Sequence, residues 1–136
     1  MGENIDMNVL SVLIPKAEVA TLDGGDTVRA AVMKMSHHHY ATIPVLGSQG
    51  HYLYSISTGD ILFYLQENDM TLKEMEDVPL SSIPIYRPVM ALPATSSKDE
   101  VTDTLLNQNF TPIVDERGIF IGIVTRRKLV QALKAK

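Results

Sequence analysis

The tetrad Thr125-Arg126-Arg127-Lys128 puts a hydroxyl and then three cations at the start of a predicted helix. A threonine there can accept hydrogen bonds from free helix N–H groups. A helix N-terminus already carries partial positive charge and prefers acids. Three cations in that turn make local sense when an anion sits among them. A phosphate would take the free N–H groups and the Thr125 hydroxyl, with charge-assisted bonds from Arg126 and Arg127. The plain alternative is a solvated charge run. Placement directly behind Thr125, in a turn that the chain repeats, favours the phosphate role. The sister turn is Ser57-Thr58-Gly59-Asp60, where Asp60 is a natural helix cap. Tyr40 offers a ring that can pack in a core or stack on a base, and the two roles are compatible.

Other chemistry-bearing residues are less organised. His37-His38-His39 are consecutive. Successive residues on a helix point in different directions, so the three cannot grip one ion, and a surface cluster at a helix end is expected. His51 lies in a turn, and Met33 and Met35 read as packing residues. No nucleophile neighbours a plausible base, no paired carboxylates stand out, and no phosphate-binding or dinucleotide glycine pattern occurs. We therefore expect neither catalytic residues nor a metal site, and a protein that is not an enzyme.

The elements that position these residues come from a repeat. Sliding the chain back 68 positions puts Pro112 on Pro44, Gly118 on Gly50 and Thr125 on Ser57. The later copy runs from a β-prone stretch at 111–114 through the Asp115-Glu116-Arg117-Gly118 turn to a second apolar run at 119–124. The earlier copy repeats this with strands at 42–46 and 52–56. Before each hairpin comes a short strand and an amphipathic helix. In the first copy these are expected at 18–22 and 27–38, with Val28, Ala31, Val32 and Met35 at helical spacing. In the second copy the strand falls at 89–92, offset by 70, and the helix carries Val101, Leu105 and Leu106 behind a cap at 96–99. Helices opening near Gly59 or Asp60 and at Lys128 close the copies. A short helix at 8–13, stopped by Pro15, and helical turns at 71–74 and 80–83 complete the reading.

Each copy is thus β-α-β-β-α, and the fold class is α/β (α+β). Neither copy could bury both faces of so small a sheet alone. Two copies packed with pseudo-twofold symmetry would share a core and leave clefts where they meet. The expected organisation is an N-terminal segment at 1–14, repeat 1 at 15–68, a linker at 69–84 and repeat 2 at 85–136. A chain of 136 residues with 45% hydrophobic residues suits one domain or two small packed ones. The net charge of -4 argues against general nucleic-acid binding. The absence of cysteine excludes disulfides and thiolate metal sites. No apolar run approaches the ~18 residues of a membrane span, and no signal sequence is evident, so a cytoplasmic location without membrane association is expected.

Two motif sets then carry a resemblance. They are Ala41-Thr42-Ile43-Pro44-Val45 with Ser57-Thr58-Gly59-Asp60, and Phe110-Thr111-Pro112-Ile113-Val114-Asp115 with Gly122-Ile123-Val124-Thr125-Arg126-Arg127. From about residue 15 to 133 the chain resembles a tandem CBS-domain pair, or Bateman module. That resemblance implies adenine-nucleotide binding between the copies, each cleft taking strands from one copy and a hydroxyl-x-x-Asp turn from the other. The first cleft would then comprise Glu18, Val19, Ala20, Thr21, Tyr40, Ala41 and Thr42 with Thr125, Arg126 and Arg127. The second would comprise Val89, Ala91, Leu92, Phe110 and Thr111 with Ser57, Thr58 and Asp60. The family's ribose-binding Asp falls at Lys128 in the first cleft, a departure from the AMP/ATP pattern, whereas Asp60 keeps it in the second.

In the first cleft, backbone groups near Ala20 and Ala41 can read an adenine edge, and stacking on Tyr40 would be worth about 1–3 kcal/mol. A ligand with two phosphodiesters and no required ribose diol fits better than AMP, and cyclic di-AMP is such a ligand. The run from Tyr40 to Leu46, with Thr125-Arg126-Arg127, resembles the small stand-alone cyclic di-AMP-binding CBS proteins of Firmicutes. This closer resemblance implies a second-messenger regulator without a catalytic cofactor. Its implied partners are a (p)ppGpp synthetase/hydrolase, bound and stimulated by the ligand-free protein and released by cyclic di-AMP, and in one branch pyruvate carboxylase. Fold analogy implies a homodimer through the helices at 27–38 and 58–65. The competing readings are an AMP/ATP energy sensor and a metal- or protein-binding module with vestigial clefts.

Overall fold

The computed structural model describes residues 8–135, beginning with Asn8. Its side chain accepts from the Leu10 N–H, capping α1 (Val9–Val12). The helix ends before Pro15, as the missing proline N–H requires. The next residues are not a helix-to-loop transition alone. Ile14–Pro15 forms β1, which pairs antiparallel with Ile123 and Gly122. No sequence period marks a two-residue strand, and it was not expected.

By contact, the chain divides into two compact units. One joins the chain up to Val19 with the chain from Val89 onward; the other is Ala20–Pro88. These are called the split unit and the middle unit.

The middle unit holds β2 (Leu22–Asp23), α2 (Val28–His38), β3 (Thr42–Leu46), β4 (Tyr52–Ser57) and α3 (Thr58–Asn68). Its sheet has the order β2-β3-β4, with β2 parallel and β4 antiparallel to β3. Thr27 caps α2 through a bond from the Ala30 N–H, and His39 ends it in the left-handed conformation at φ 59°. Val28, Ala31 and Met35 are buried, as their spacing predicts. They pack with Ile43, Val45, Ile56, Ile61, Met75 and Leu80. Each large aliphatic side chain so buried contributes roughly 1.5–3 kcal/mol. The expected strand at 18–22 is corrected. Lys16–Glu18 is a 3-10 turn, and the strand begins only at Leu22. Apolar alternation over so few residues does not distinguish the two. Residues after α3 stay with this unit: Val28 N–H donates to Val78 O at 3.0 Å and Leu80 N–H to Asp26 O at 2.9 Å. The 3-10 turns Lys73–Met75 and Leu80–Ser82 match the expected helical turns.

The split unit holds β5 (Leu92–Pro93), α4 (Lys98–Leu105), β6 (Phe110–Val114), β7 (Phe120–Thr125) and α5 (Arg126–Lys134) beside α1 and β1. Its sheet runs β1-β7-β6-β5. Val9, Val12, Val101, Leu105, Ile113, Val124 and Leu129 form its core. Ser97 and Glu100 form a reciprocal capping box on α4. Two expectations change here. The strand placed at 89–92 is reduced to Leu92–Pro93, and the last helix starts at Arg126 rather than Lys128. Thr125 caps it by accepting from the Lys128 N–H at 3.0 Å, so all three cations lie inside the first turn. Each unit therefore carries one βαββα copy, confirming an α/β fold of two repeats. Among the described residues no helix is long and apolar enough to cross a membrane.

Candidate functional site

The residues predicted for the two clefts divide between the units. Of the first set, Glu18, Val19, Thr125, Arg126 and Arg127 lie in the split unit; Ala20, Thr21, Tyr40, Ala41 and Thr42 lie in the middle unit. Of the second set, Val89, Ala91, Leu92, Phe110 and Thr111 lie in the split unit, and Ser57, Thr58 and Asp60 in the middle unit. Within each unit, parts of the two sets are joined by the hairpin. Thr42 is the register partner of Ser57, and Thr58 N–H donates to Ala41 O at 2.9 Å. Correspondingly, Phe110 pairs with Thr125, and Arg126 N–H donates to Asn109 O at 3.3 Å.

In the split unit, the 3-10 turn bearing Glu18 packs against β7. Glu18 is exposed there, and Arg127 and Lys128 are exposed on the first turn of α5. Among the described residues, neither the Arg127 nor the Lys128 side chain has a hydrogen-bond or ion-pair partner. Arg126 differs. Its Nε donates to Leu105 O at 2.9 Å, and Nη2 donates to Leu105 O at 2.7 Å and Gln108 O at 3.2 Å. The guanidinium thus satisfies carbonyls left open at the C-terminal end of α4, where a cation also suits the helix dipole. Sequence reasoning treated the two arginines as a pair; the structure separates a bracing cation from an open one.

In the middle unit, Tyr40 is half-buried and flanks a groove of about 290 Å³ between α2 and α3, lined also by Val32, Met35, Ile61, Leu62 and Leu65. Its ring is 5.4 Å from that of His38, tilted by 32°. The His37 and His38 rings meet edge to face at 4.9 Å. Among the described residues, no group of three or more histidines or carboxylates could hold a metal ion. Lys34 Nζ donates to Thr21 O at 2.7 Å, holding the segment before β2 against α2.

Asp60 is 2% exposed. Its Oδ2 accepts from the Ser57 N–H at 2.9 Å, and the Asp60 N–H donates to Ser57 Oγ at 3.1 Å, a complete capping box. Oδ1 accepts from the Tyr86 N–H at 2.9 Å. Tyr86 also donates its hydroxyl to Glu67 and lies edge-on to Phe63. The Glu67 carboxylate, by accepting that bond, pushes the Tyr86 hydroxyl above its ordinary pKa. Both Asp60 oxygens are therefore engaged within the unit, the capping role that its first-turn position favours. The Tyr86 contact was not foreseen, because an exposed tyrosine 26 residues away leaves no local pattern.

The CBS-domain profile matches residues 11–67 and 72–135. The chain belongs to the CBS-domain family. Members of this family are regulatory ligand-binding modules. No curated protein matches the chain. Among solved structures, a CBS domain protein from Streptococcus pneumoniae TIGR4 is 27% identical, with a TM-score of 0.81, over 93% of this chain and 86% of that one. A hypothetical conserved protein from Geobacillus kaustophilus is 23% identical, with a TM-score of 0.86, over 96% and 98%. The Listeria monocytogenes CbpB protein, solved in complex with c-di-AMP, is 22% identical, with a TM-score of 0.80, over 95% and 96%. These likenesses agree with the resemblance carried by the sequence motifs.

Proposed function

We propose that this CBS pair is a cyclic di-AMP receptor that controls a partner protein without performing chemistry. The observation that carries the reading is the α5 turn, where Thr125 caps the helix and Arg127 stands exposed with no protein partner among the described residues. An exposed guanidinium beside a helix N-terminus is suited to phosphate. Lys128, at the position of the family's ribose carboxylate, adds positive charge and removes the group that AMP and ATP would use. Residues 18–21, Tyr40, Ala41 and Thr42 are the proposed adenine-contacting set. The likeness to CbpB solved with c-di-AMP supports the same ligand.

The proposed output is a change in affinity for a protein such as a (p)ppGpp synthetase/hydrolase or pyruvate carboxylase. The ligand would order the segment at 15–22, and partner release would follow from different affinities for the two states. We further propose a cytoplasmic homodimer through α2 and α3, where Met33 on α2 and Leu62 and Phe63 on α3 are exposed. The ligand assignment is tested by thermal unfolding with cyclic di-AMP, AMP, ATP and cyclic di-GMP. A ligand present at 100 times its Kd stabilises by about 2.7 kcal/mol. Cyclic di-AMP should raise Tm by several degrees at concentrations where the others do nothing; a larger shift with AMP or ATP would instead make this an energy sensor. The output is tested by measuring synthetase/hydrolase binding with and without saturating cyclic di-AMP, and equal affinities would refute control by ligand.

A further inference from the structure

Gln108 engages both backbone groups of one residue in the segment before β5. Its Oε1 accepts from the Met90 N–H at 3.0 Å, and its Nε2 donates to Met90 O at 2.8 Å and to Phe110 O at 3.0 Å. One carboxamide thereby presents an acceptor and a donor, side by side, to a peptide edge. The N1 and N6 positions of adenine present the same acceptor and donor in the same plane. Any base reading Met90 through its backbone must displace this side chain. The clamp is also held from behind, since Arg126 Nη2 donates to the Gln108 carbonyl at 3.2 Å.

The first repeat lacks this arrangement. The 68- and 70-residue offsets put Tyr40 at the position of Gln108 and Ala20 at that of Met90. Among the described residues, no side chain hydrogen-bonds to the backbone of Ala20, and a tyrosine ring cannot offer the paired donor and acceptor of an amide. The other polar anchors of the second set are closed as well. Asp60 has both oxygens engaged, and the Thr111 hydroxyl, fully buried, pairs with Thr104 Oγ1 at 2.6 Å.

We infer that Gln108 is a specificity-determining residue: its amide occupies the adenine-reading edge of the second repeat, so that one adenine-reading edge per chain is open, that of the first. This rests on the proposed function for the ligand of the open edge. The side chain acts as an internal stand-in for a base, and it fixes ligand stoichiometry at one cyclic dinucleotide per chain.

The test saturates the protein with cyclic di-AMP and then titrates adenosine, an uncharged probe, to millimolar concentration. The wild-type protein should take up no adenosine. Gln108→Ala should gain one adenosine per chain, at least tenfold tighter than any wild-type signal, with cyclic di-AMP affinity unchanged within about threefold. Gln108→Glu keeps the acceptor for Met90 N–H but loses the donors, so it frees Met90 O while preserving half the clamp; it should show the same gain more weakly. Uptake of one adenosine per chain by the saturated wild type would overturn the inference without any variant. So would a folded Gln108→Ala or Gln108→Glu that takes up none. Failure of cyclic di-AMP to bind at all would instead refute the ligand assignment, and the adenosine difference between wild type and variants would remain readable.

Discussion

Arg126 and Arg127 are neighbours of identical type with different hydrogen bonding. Both are exposed, but Arg126 is bonded to the carbonyls of Leu105 and Gln108, whereas the Arg127 side chain has no such partner among the described residues. Arg127→Ala should therefore weaken cyclic di-AMP binding about 10- to 100-fold, the loss of one charge-assisted phosphate contact of roughly 1.5–3 kcal/mol, and leave the urea midpoint unchanged. Arg126→Ala should lower the unfolding free energy by about 1–3 kcal/mol, because it strands the carbonyls of Leu105 and Gln108. Titration calorimetry and urea unfolding on both variants check this. Equal stability loss in the two would contradict the division of labour. The sequence announced a basic turn after a hydroxyl but could not divide its roles, because the acceptors of Arg126 lie 18 and 21 residues upstream. Gln108 was equally silent, because its partner Met90 lies 18 residues upstream. Asp60 was legible as a cap from its place at N3; the Tyr86 bond that closes its second oxygen was not.

At the scale of elements, β7 shows what a local pattern reveals and what it hides. The run at 119–124 reads as a strand, and Gly122 interrupts it without apparent cause. The structure supplies the cause: φ is +155°, and a Cβ there would lie 2.2 Å from the carbonyl oxygen of Ile14 in β1. Gly122→Ala should lower stability by about 2–3 kcal/mol with little change in m, measured by urea unfolding. A neutral substitution would mean that β1 does not need its close approach. The β6–β7 turn carries a second prediction. Asp115 Oδ1 accepts from the Ile119 N–H at 2.9 Å and the Arg117 N–H at 2.8 Å. The Ile119 bond foremost, with help from Arg117, holds the Asp115 carboxyl below its ordinary value. Its ionised form thus contributes stability that is complete above the ordinary aspartate pKa, about 3.9, and is lost as pH falls through the lowered folded-state value. Asp115→Asn should lower Tm at pH 7, and the gap should close as pH falls below about 4. A gap of constant size down to pH 2 would show that charge at Asp115 is irrelevant. The helices and hairpins were readable because they carry period 3.6, period 2 and turn chemistry over five or more residues. Two-residue strands such as β1 and β5 fall below the length at which any period exists.

For the whole molecule, duplication is what made the fold legible. A single copy is weak in sequence, but two copies in register fix the order of elements. Division into units follows contact rather than the repeat boundaries: α1, β1 and the Lys16–Glu18 turn pack with the second copy, and the chain after α3 packs with the first. This crossing of the termini depends on long-range pairing, which a repeat alignment does not record. It also places Glu18 and Thr125–Arg127 in the split unit, and Tyr40 and Ala41 in the middle unit. The central claim is that this CBS pair binds cyclic di-AMP, one per chain, using Arg127. The measurement that tests it most directly is isothermal titration of nucleotide-stripped protein with cyclic di-AMP, with Arg127→Ala run in parallel. The account predicts saturable heat at one ligand per chain and a 10- to 100-fold weaker isotherm for the variant. Absence of heat from the wild type, or an Arg127→Ala isotherm that superimposes on it, would contradict the account.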